Sequence, residues 1–222
     1  MWDRAVEGRI LHFHLVGLNN QNFIMADEET GSWWQQISGE CILGPLKGKR
    51  LSRISSDEVT LATWKTEHPE STAVKFDSRR GYPGSDWEKR IERVKAPDGA
   101  PRELVVGVEL HGVAAAYPLA ALRERNPLNV EVGGAPIVFV VDAGGNSVRC
   151  FVRRVDEQVL DFYRRPEDGS LIDSATGSAW SFAGHATAGK LAGRSLEPVQ
   201  NTKDYWFNWQ RYHPGTTLRR RI

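Results

Sequence analysis

The spacing Gly-x4-Gly-x-Leu-x-Gly-x2-Leu occurs twice without a gap, once from Gly39 to Leu51 and once from Gly184 to Leu196. Each copy follows a Thr-Gly-Ser turn and a tryptophan: Thr30-Gly31-Ser32-Trp33-Trp34 in the first, Thr176-Gly177-Ser178-Ala179-Trp180 in the second. The register runs on in both directions. Trp64 falls opposite Trp209, and His68-Pro69 opposite His213-Pro214, at a separation of about 145 positions. Upstream, Asp27 matches Asp173, and Leu11-His12-Phe13 matches Leu160-Asp161-Phe162. A period this long is no solenoid unit. The glycines also forbid a helix across the repeated segment, since each interior glycine costs about 1 kcal/mol relative to alanine. The segment from Gly39 to Leu51 therefore reads as short extended pieces joined by tight turns at Pro45 and Lys47-Gly48.

A chain of 222 residues makes one large domain or two small ones, and the repeat favours two halves. Lys and Arg number 29 against 28 Asp and Glu, so no global field draws nucleic acid or a membrane surface. The basic run Arg219-Arg220-Arg221 reads as a solvated tail. Cys41 and Cys150 lie far apart and have no ligand-type spacing, which argues against a disulfide framework or a structural zinc site. No apolar run reaches transmembrane length, and no signal-peptide pattern is present. The localisation stays open, because the repeat register places the start of the chain inside a repeat and the natural N-terminus is expected to lie upstream.

Along the chain, residues 9–15 and 23–26 read as strands, with Ile10 or Leu11 competing with Phe13 for the inner face. Residues 17–22 read as the loop between them. Asp27 to Gly31 is a hairpin turn in which Asp27 bonds the turn backbone and Gly31 takes positive φ; Trp33 and Trp34 start the returning strand. Ser55-x2-Glu58 is a capping-box pattern that predicts a helix through Trp64, ending near His68 ahead of Pro69. Residues 72–102 lose periodicity and gain glycine and proline, the pattern of a linker. Strands are expected at 104–110, 113–117, 137–141 and 148–152, with a helix from Pro118 to Arg125. A closing helix runs from about Lys203 to Tyr212, capped by Asn201 or Thr202. Residues 103–149 have no counterpart in the first half, which looks cut at its N-terminal side.

The string Asp3-Arg4 through Gly8-Arg9-Ile10-Leu11, the Asp27-x2-Thr-Gly-Ser turn, Gly44-Pro45-Leu46-x-Gly48 and Trp64 with His68-Pro69 resemble a bacterial and archaeal family, domain of unknown function 3179. Val106-Gly107-Val108, Gly112, Ala116-Tyr117-Pro118-Leu119 and Val132-Gly133-Gly134-Ala135-Pro136-Ile137 are similar to the same family's opening block. The resemblance implies no activity. Members of the family usually bear Cys-Pro-Leu-Cys-Gly after the strand corresponding to Ile137–Val141, and a His upstream in a Trp-His-Glu segment. Here the first place reads Asp142-Ala143-Gly144-Gly145-Asn146, and Leu122 to Pro127 contains neither His nor Trp. If those cysteines bind metal or do redox chemistry, the chain has lost the equipment in this half, and the matching stretch of the first half would lie before Met1.

The chemistry-bearing residues each have a plain structural role as the competing explanation. His12 and His14 are two apart on an expected strand and share a face, but no third ligand accompanies them. Asp27 and Asp173 suit turn stabilisation better than acid–base work. His68 and His213 suit helix C-termini, where a cation gains roughly 0.3–1 kcal/mol from the dipole. Cys41, at the level of Ala186, reads as an inert core filler. Trp34, Trp64, Trp180 and Trp209 recur in both halves and suit a core. Trp33, Trp87 and Trp206 lack repeat partners and are the ligand-surface candidates.

The expected fold class is α+β, predominantly β: two tandem pseudo-repeats of short antiparallel strands, each ended by a short helix, the first incomplete. The expected parts are 1–71, a linker 72–102, and 103–218. No residue is singled out as catalytic or cofactor-binding, and no metal or cofactor is expected. The function expected is non-catalytic binding or scaffolding; the alternative is a degenerate or truncated member of a metal, redox or enzymatic family. Without the strands that precede the second half, the first sheet should show an unpaired edge or exposed apolar face. A homodimer through residues 9–26 or a folded-back linker would cover it.

Overall fold

Leu11, Trp34 and Cys41 have no exposed surface, and with Val6 and Leu51 they form the core of the first of two compact units, Met1–Ser56. The computed structural model describes residues 1–19, 22–73 and 103–220, so Trp87 and all but the first two residues of the expected linker lie outside the described residues. The first unit opens with a two-stranded ribbon, β1 (Ala5–Val6) and β2 (Arg9–Ile10). Its four-stranded antiparallel sheet runs in order β3 (Phe13–Asn19), β4 (Asn22–Asp27), β5 (Trp33–Gln35) and β6 (Cys41–Leu43). Of the expected loop at 17–22, the described residues 17–19 and 22 are strand, because Gly17, Leu18 and Asn19 pair with Ile24, Phe23 and Asn22. Phe13 meets Trp34 edge-on at 5.9 Å. Burying aliphatic and aromatic side chains of this kind stabilises by about 1.5–3 kcal/mol each.

The second unit, Asp57–Ile222, begins with helix α1 (Leu61–Glu67). The capping residue is Thr60, whose side chain accepts from Thr63 N, so Ser55-x2-Glu58 does not start this helix. The helix ends at His68, as the following proline predicts. By the repeat register α1 belongs to the first half, yet its hydrogen bonds to Asp142 and Ser147 group it with the second unit.

Next come β7 (Leu104–Leu110), β8 (Val113–Pro118), α2 (Leu119–Glu124), β9 (Leu128–Val132), β10 (Ala135–Val141) and β11 (Val148–Val152). The second copy of the repeated signature supplies β12 (Arg154–Val155), β13 (Gln158–Val159), β14 (Phe162–Arg164), β15 (Leu171–Asp173), β16 (Ala179–Trp180) and β17 (Ala186–Ala188). The chain closes with β18 (Glu197–Val199), β19 (Asn201–Tyr205), α3 (Trp206–Tyr212) and β20 (Thr217–Leu218). The closing helix expected from about Lys203 begins only at Trp206, and residues 201–205 are strand: β19 pairs with β7 over its whole length, and inter-strand bonds outweigh a weak local preference.

Three sheets stack in this unit. The middle one, in order β18-β11-β10-β9, is buried on both faces, which is why β10 is the most apolar strand. Ile137, Phe139 and Val141 point into one core with Val106, Val108, Tyr117 and Leu122, while Val138 and Val140 point into another with Phe151, Leu160 and Trp180. The outer sheet β19-β7-β8-β20 carries α3 on its far side. There Trp209 lies so close to Gly107 that a Cβ would meet the indole at 2.5 Å. The sheet β14-β15-β16-β17 covers the other core. The fold is thus α+β and predominantly β. Among the described residues no helix is long and apolar enough to cross a membrane.

Candidate functional site

Alternation along β11 sends Val148 and Cys150 to one core and Arg149 and Phe151 towards the other. Arg149 is thus a cation at an inward position of an interior strand, opposite Val140 and only 7 % exposed. Its guanidinium lies 4.7 Å from the centroid of Phe182. A charge placed there needs partners, because desolvation of an unpaired ion costs several kcal/mol. They come from the segment around α1. Nη1 and Nη2 donate to the two oxygens of Glu67 at 2.5 and 2.8 Å, and Nε donates to Asp57 Oδ2 at 2.6 Å. These bonds hold the Glu67 carboxyl below the ordinary glutamate range. Burial alone would ease the Arg149 proton off, but the two carboxylates outweigh it and strengthen its hold.

The loop between β10 and β11 lies beside this pair. Asp142 Oδ1 accepts from Asn146 N and Ser147 N at 3.0 Å each, and Oδ2 accepts from Thr63 Oγ1 at 2.7 Å. Burial tends to raise the Asp142 carboxyl, and the hydrogen bonds from Ser147, Thr63 and Asn146 reverse it to a net lowering. A carboxylate held low and fully engaged is a poor general base. Arg123 braces the loop through Gly145 O and Asn146 Oδ1. Lys203 donates to Asn146 O at 3.0 Å and pairs with Glu58 at 2.9 Å. Asp204, next along β19, is pushed up by burial although Tyr205 N and Asn208 donate to it.

This cluster was not singled out from sequence. The available signal was Arg149 itself, a charge inside Val-Arg-Cys-Phe-Val at the position that alternation assigns to the same face as Phe151. Its partners stand 82 and 92 residues away and leave no local trace.

The residues singled out by sequence lie elsewhere. Trp33 is exposed on β5 in the first unit. Trp206 opens α3 in the second unit and packs against Val105, Ala116 and Trp209. His12 precedes β3 rather than lying in it, and its Nδ1 and backbone N both bond Glu29. His14 is exposed. Among the described residues, no three His, Cys, Asp or Glu side chains stand where they could hold a metal ion. Cys41 and Cys150 are free and buried, and burial pushes both thiols up. His68 and His213 follow their helices and receive ring contacts from Trp64 at 4.1 Å and Trp209 at 3.6 Å.

The two aspartates hold equivalent positions. Thr30 N donates to Asp27 Oδ1 at 2.6 Å and Trp34 Nε1 to Asp27 Oδ2 at 2.7 Å; Thr176 N and Trp180 Nε1 make the same bonds to Asp173 at 2.6 and 3.0 Å. Ser32 and Ser178 Oγ accept from Leu46 N and Leu191 N. His185 Nδ1 bonds Ser195 Oγ at 2.8 Å, a pair whose positional counterpart in the first unit is Glu40 with Arg50. Both pairs bridge the same two positions of the repeated signature.

A family described as protein of unknown function (DUF3179) matches residues 1–216. The chain belongs to DUF3179. No curated protein and no solved structure matches it. Within this DUF3179 chain, the loop from Asp142 to Ser147 follows the strand after which the resemblance places a cysteine-bearing segment. Its side chains here are engaged in holding the loop and α1 together.

Proposed function

We propose that the protein is a non-catalytic β-rich binding or scaffolding protein, and that its contact surface is the distal half of the β3–β4 hairpin. The observation that carries this reading is the exposure of Leu15, Leu18 and Phe23, at 60 %, 64 % and 49 %. A bulge between Leu15 and Gly17 inserts Val16 as an extra residue. Without it Leu15 and Leu18 would point to opposite faces. With it, Leu15 sits across from Met25 and Leu18 across from Phe23, so all four share one face. Trp34, across from Met25, lies on the same face and is buried. The apolar face therefore continues past its own core into solvent. Scattered exposed apolar residues are ordinary, whereas cross-strand neighbours on one face make a patch that favours association. β3 is also an edge of its sheet, the position at which strands pair between chains.

The partner proposed is a second copy, joined through residues 9–26. Light scattering on the full chain over a wide concentration range should give a mass that rises to twice the monomer, and Leu18→Lys should abolish the rise without altering the circular dichroism. A single monomeric mass for both proteins, with no difference in binding of an apolar dye, overturns the reading.

A further inference from the structure

We infer that Arg149 is an oxyanion-recognition site for a carboxylate ligand, and that the segment 57–67 occupies it as an exchangeable intramolecular ligand. Three observations converge. Arg149 occupies a face otherwise built from Val138, Val140 and Phe151, where an apolar residue of similar size would pack without desolvating a charge; replacing buried ion pairs by apolar side chains is often neutral or stabilising. The fork of the guanidinium is matched to a planar carboxylate, Nη1 and Nη2 each taking one oxygen of Glu67 while Nε takes Asp57. Phe182 lies against the guanidinium, an apolar wall that strengthens a charged contact by excluding water.

The occupant is held differently from the rest of the unit. No residue of α1 is buried, and it docks through polar contacts: Thr60 and Thr63 on Ser147, Thr63 on Asp142, and Glu67 on Arg149. Two further charges just ahead of the helix, Asp57 and Glu58, meet Arg149 and Lys203. An acidic segment thus lies on two cations, and none of the helix's own side chains is buried. Such a contact is weakened by salt and by competing anions. Tethering gives the segment a high effective concentration, so a free carboxylate competes poorly until the tethered one is removed.

The experiment uses the full chain and glutarate, a dicarboxylate that can present one group to the fork and one to Nε. Calorimetric titration should show that Glu67→Gln binds glutarate about tenfold or more tightly than the unaltered protein, the competitor in cis having been removed. Adding Arg149→Lys, which keeps the charge and loses the fork, should abolish that gain. Equal binding by the unaltered protein and Glu67→Gln overturns the inference, as does a gain that survives Arg149→Lys. Inorganic phosphate binding as tightly as glutarate overturns the carboxylate assignment. If Glu67→Gln loses its near-ultraviolet circular dichroism, Asp57→Asn serves instead, since Asp57 is more exposed and bonds only Nε. A folded Asp57→Asn protein with no gain in glutarate binding then overturns the inference.

Discussion

Trp180 Nε1 donates to Asp173 Oδ2 at 3.0 Å, with Asp173 wholly buried beneath the turn it closes. The same carboxylate accepts Thr176 N and Oγ1 through its two oxygens, so one side chain ties a turn to a core tryptophan. Asp173→Ala leaves the indole N–H and the turn amide without partners, and each buried unpaired donor costs about 1–3 kcal/mol. We expect Asp173→Ala to be destabilised by roughly 2–5 kcal/mol, read as a lower urea midpoint at unchanged slope. A loss no larger than that of a surface substitution would mean that water replaces the carboxylate.

Two glycines of the repeated signature should separate strain from collision. Gly189 has φ +91°, and a Cβ there would lie 2.6 Å from Ser178 Cα; Gly193 has φ +85° with nothing within 4 Å. Backbone cannot step aside as a flexible side chain can. Gly193→Ala should cost about 1–2 kcal/mol, the left-handed penalty alone. Gly189→Ala carries the same penalty plus a clash, so thermal melting should fall further for it than for Gly193→Ala. Equal shifts would show that the turn after β17 relaxes.

Docking of α1 should fail in acid before the sheets do. Glu67 and Asp142 are both held below their ordinary values of 4.5 and 3.8, the first by Arg149, the second by hydrogen bonds that overcome burial. A carboxyl whose folded pKa lies below its unfolded value contributes stability that is complete above the unfolded value and lost as pH falls through the folded one. Asp204 is raised by burial and works in the opposite sense, its contribution fading as pH rises through its folded value. Amide exchange at Trp64 to His68 should therefore quicken below about pH 4 while Val138 to Val140 stay protected. Simultaneous loss at both places would count against a separately held α1.

Neither thiol should react in the native state. Cys41 has no exposed surface and Cys150 is 2 % exposed, and burial disfavours both thiolates. An aromatic disulfide reagent should label neither at neutral pH and both in denaturant. Rapid labelling of one thiol under native conditions would reveal local opening at that strand.

Gly107 makes the sharpest packing test. Substitution by alanine drives a Cβ into the Trp209 indole at 2.5 Å, and overpacking of this kind costs about 1–3 kcal/mol. Trp209 fluorescence should shift to the red as the ring is displaced from β7. An unshifted spectrum with full stability would mean that α3 moves away at no cost.

Short-range relationships were legible from residue order alone. The Asp-x2-Thr-Gly-Ser turns, the positive φ of Gly31 and Gly177, the strands β7, β10 and β11, helix α2 and the end of α1 at His68 all depend on partners a few residues apart or on local alternation. Alternation along β10 also separates Ile137, Phe139 and Val141 from Val138 and Val140, and all five are buried because the sheet is covered on both faces. What only the tertiary structure decided depends on partners far along the chain. Asn201 to Tyr205 became strand because β7, some hundred residues earlier, offered an edge. Helix α1 is capped by Thr60, the residue whose backbone N bonds Ser147, and a local capping pattern could not reveal that loop. Arg149 reads in sequence as one polar residue of a strand, and only packing shows that it is buried on two carboxylates. A bulge of one residue decided which side of β3 is apolar. Local sequence sets torsions and alternation; the partner that satisfies a buried charge or an open strand edge is chosen by the folded chain, where desolvation makes an unmet group too costly to keep.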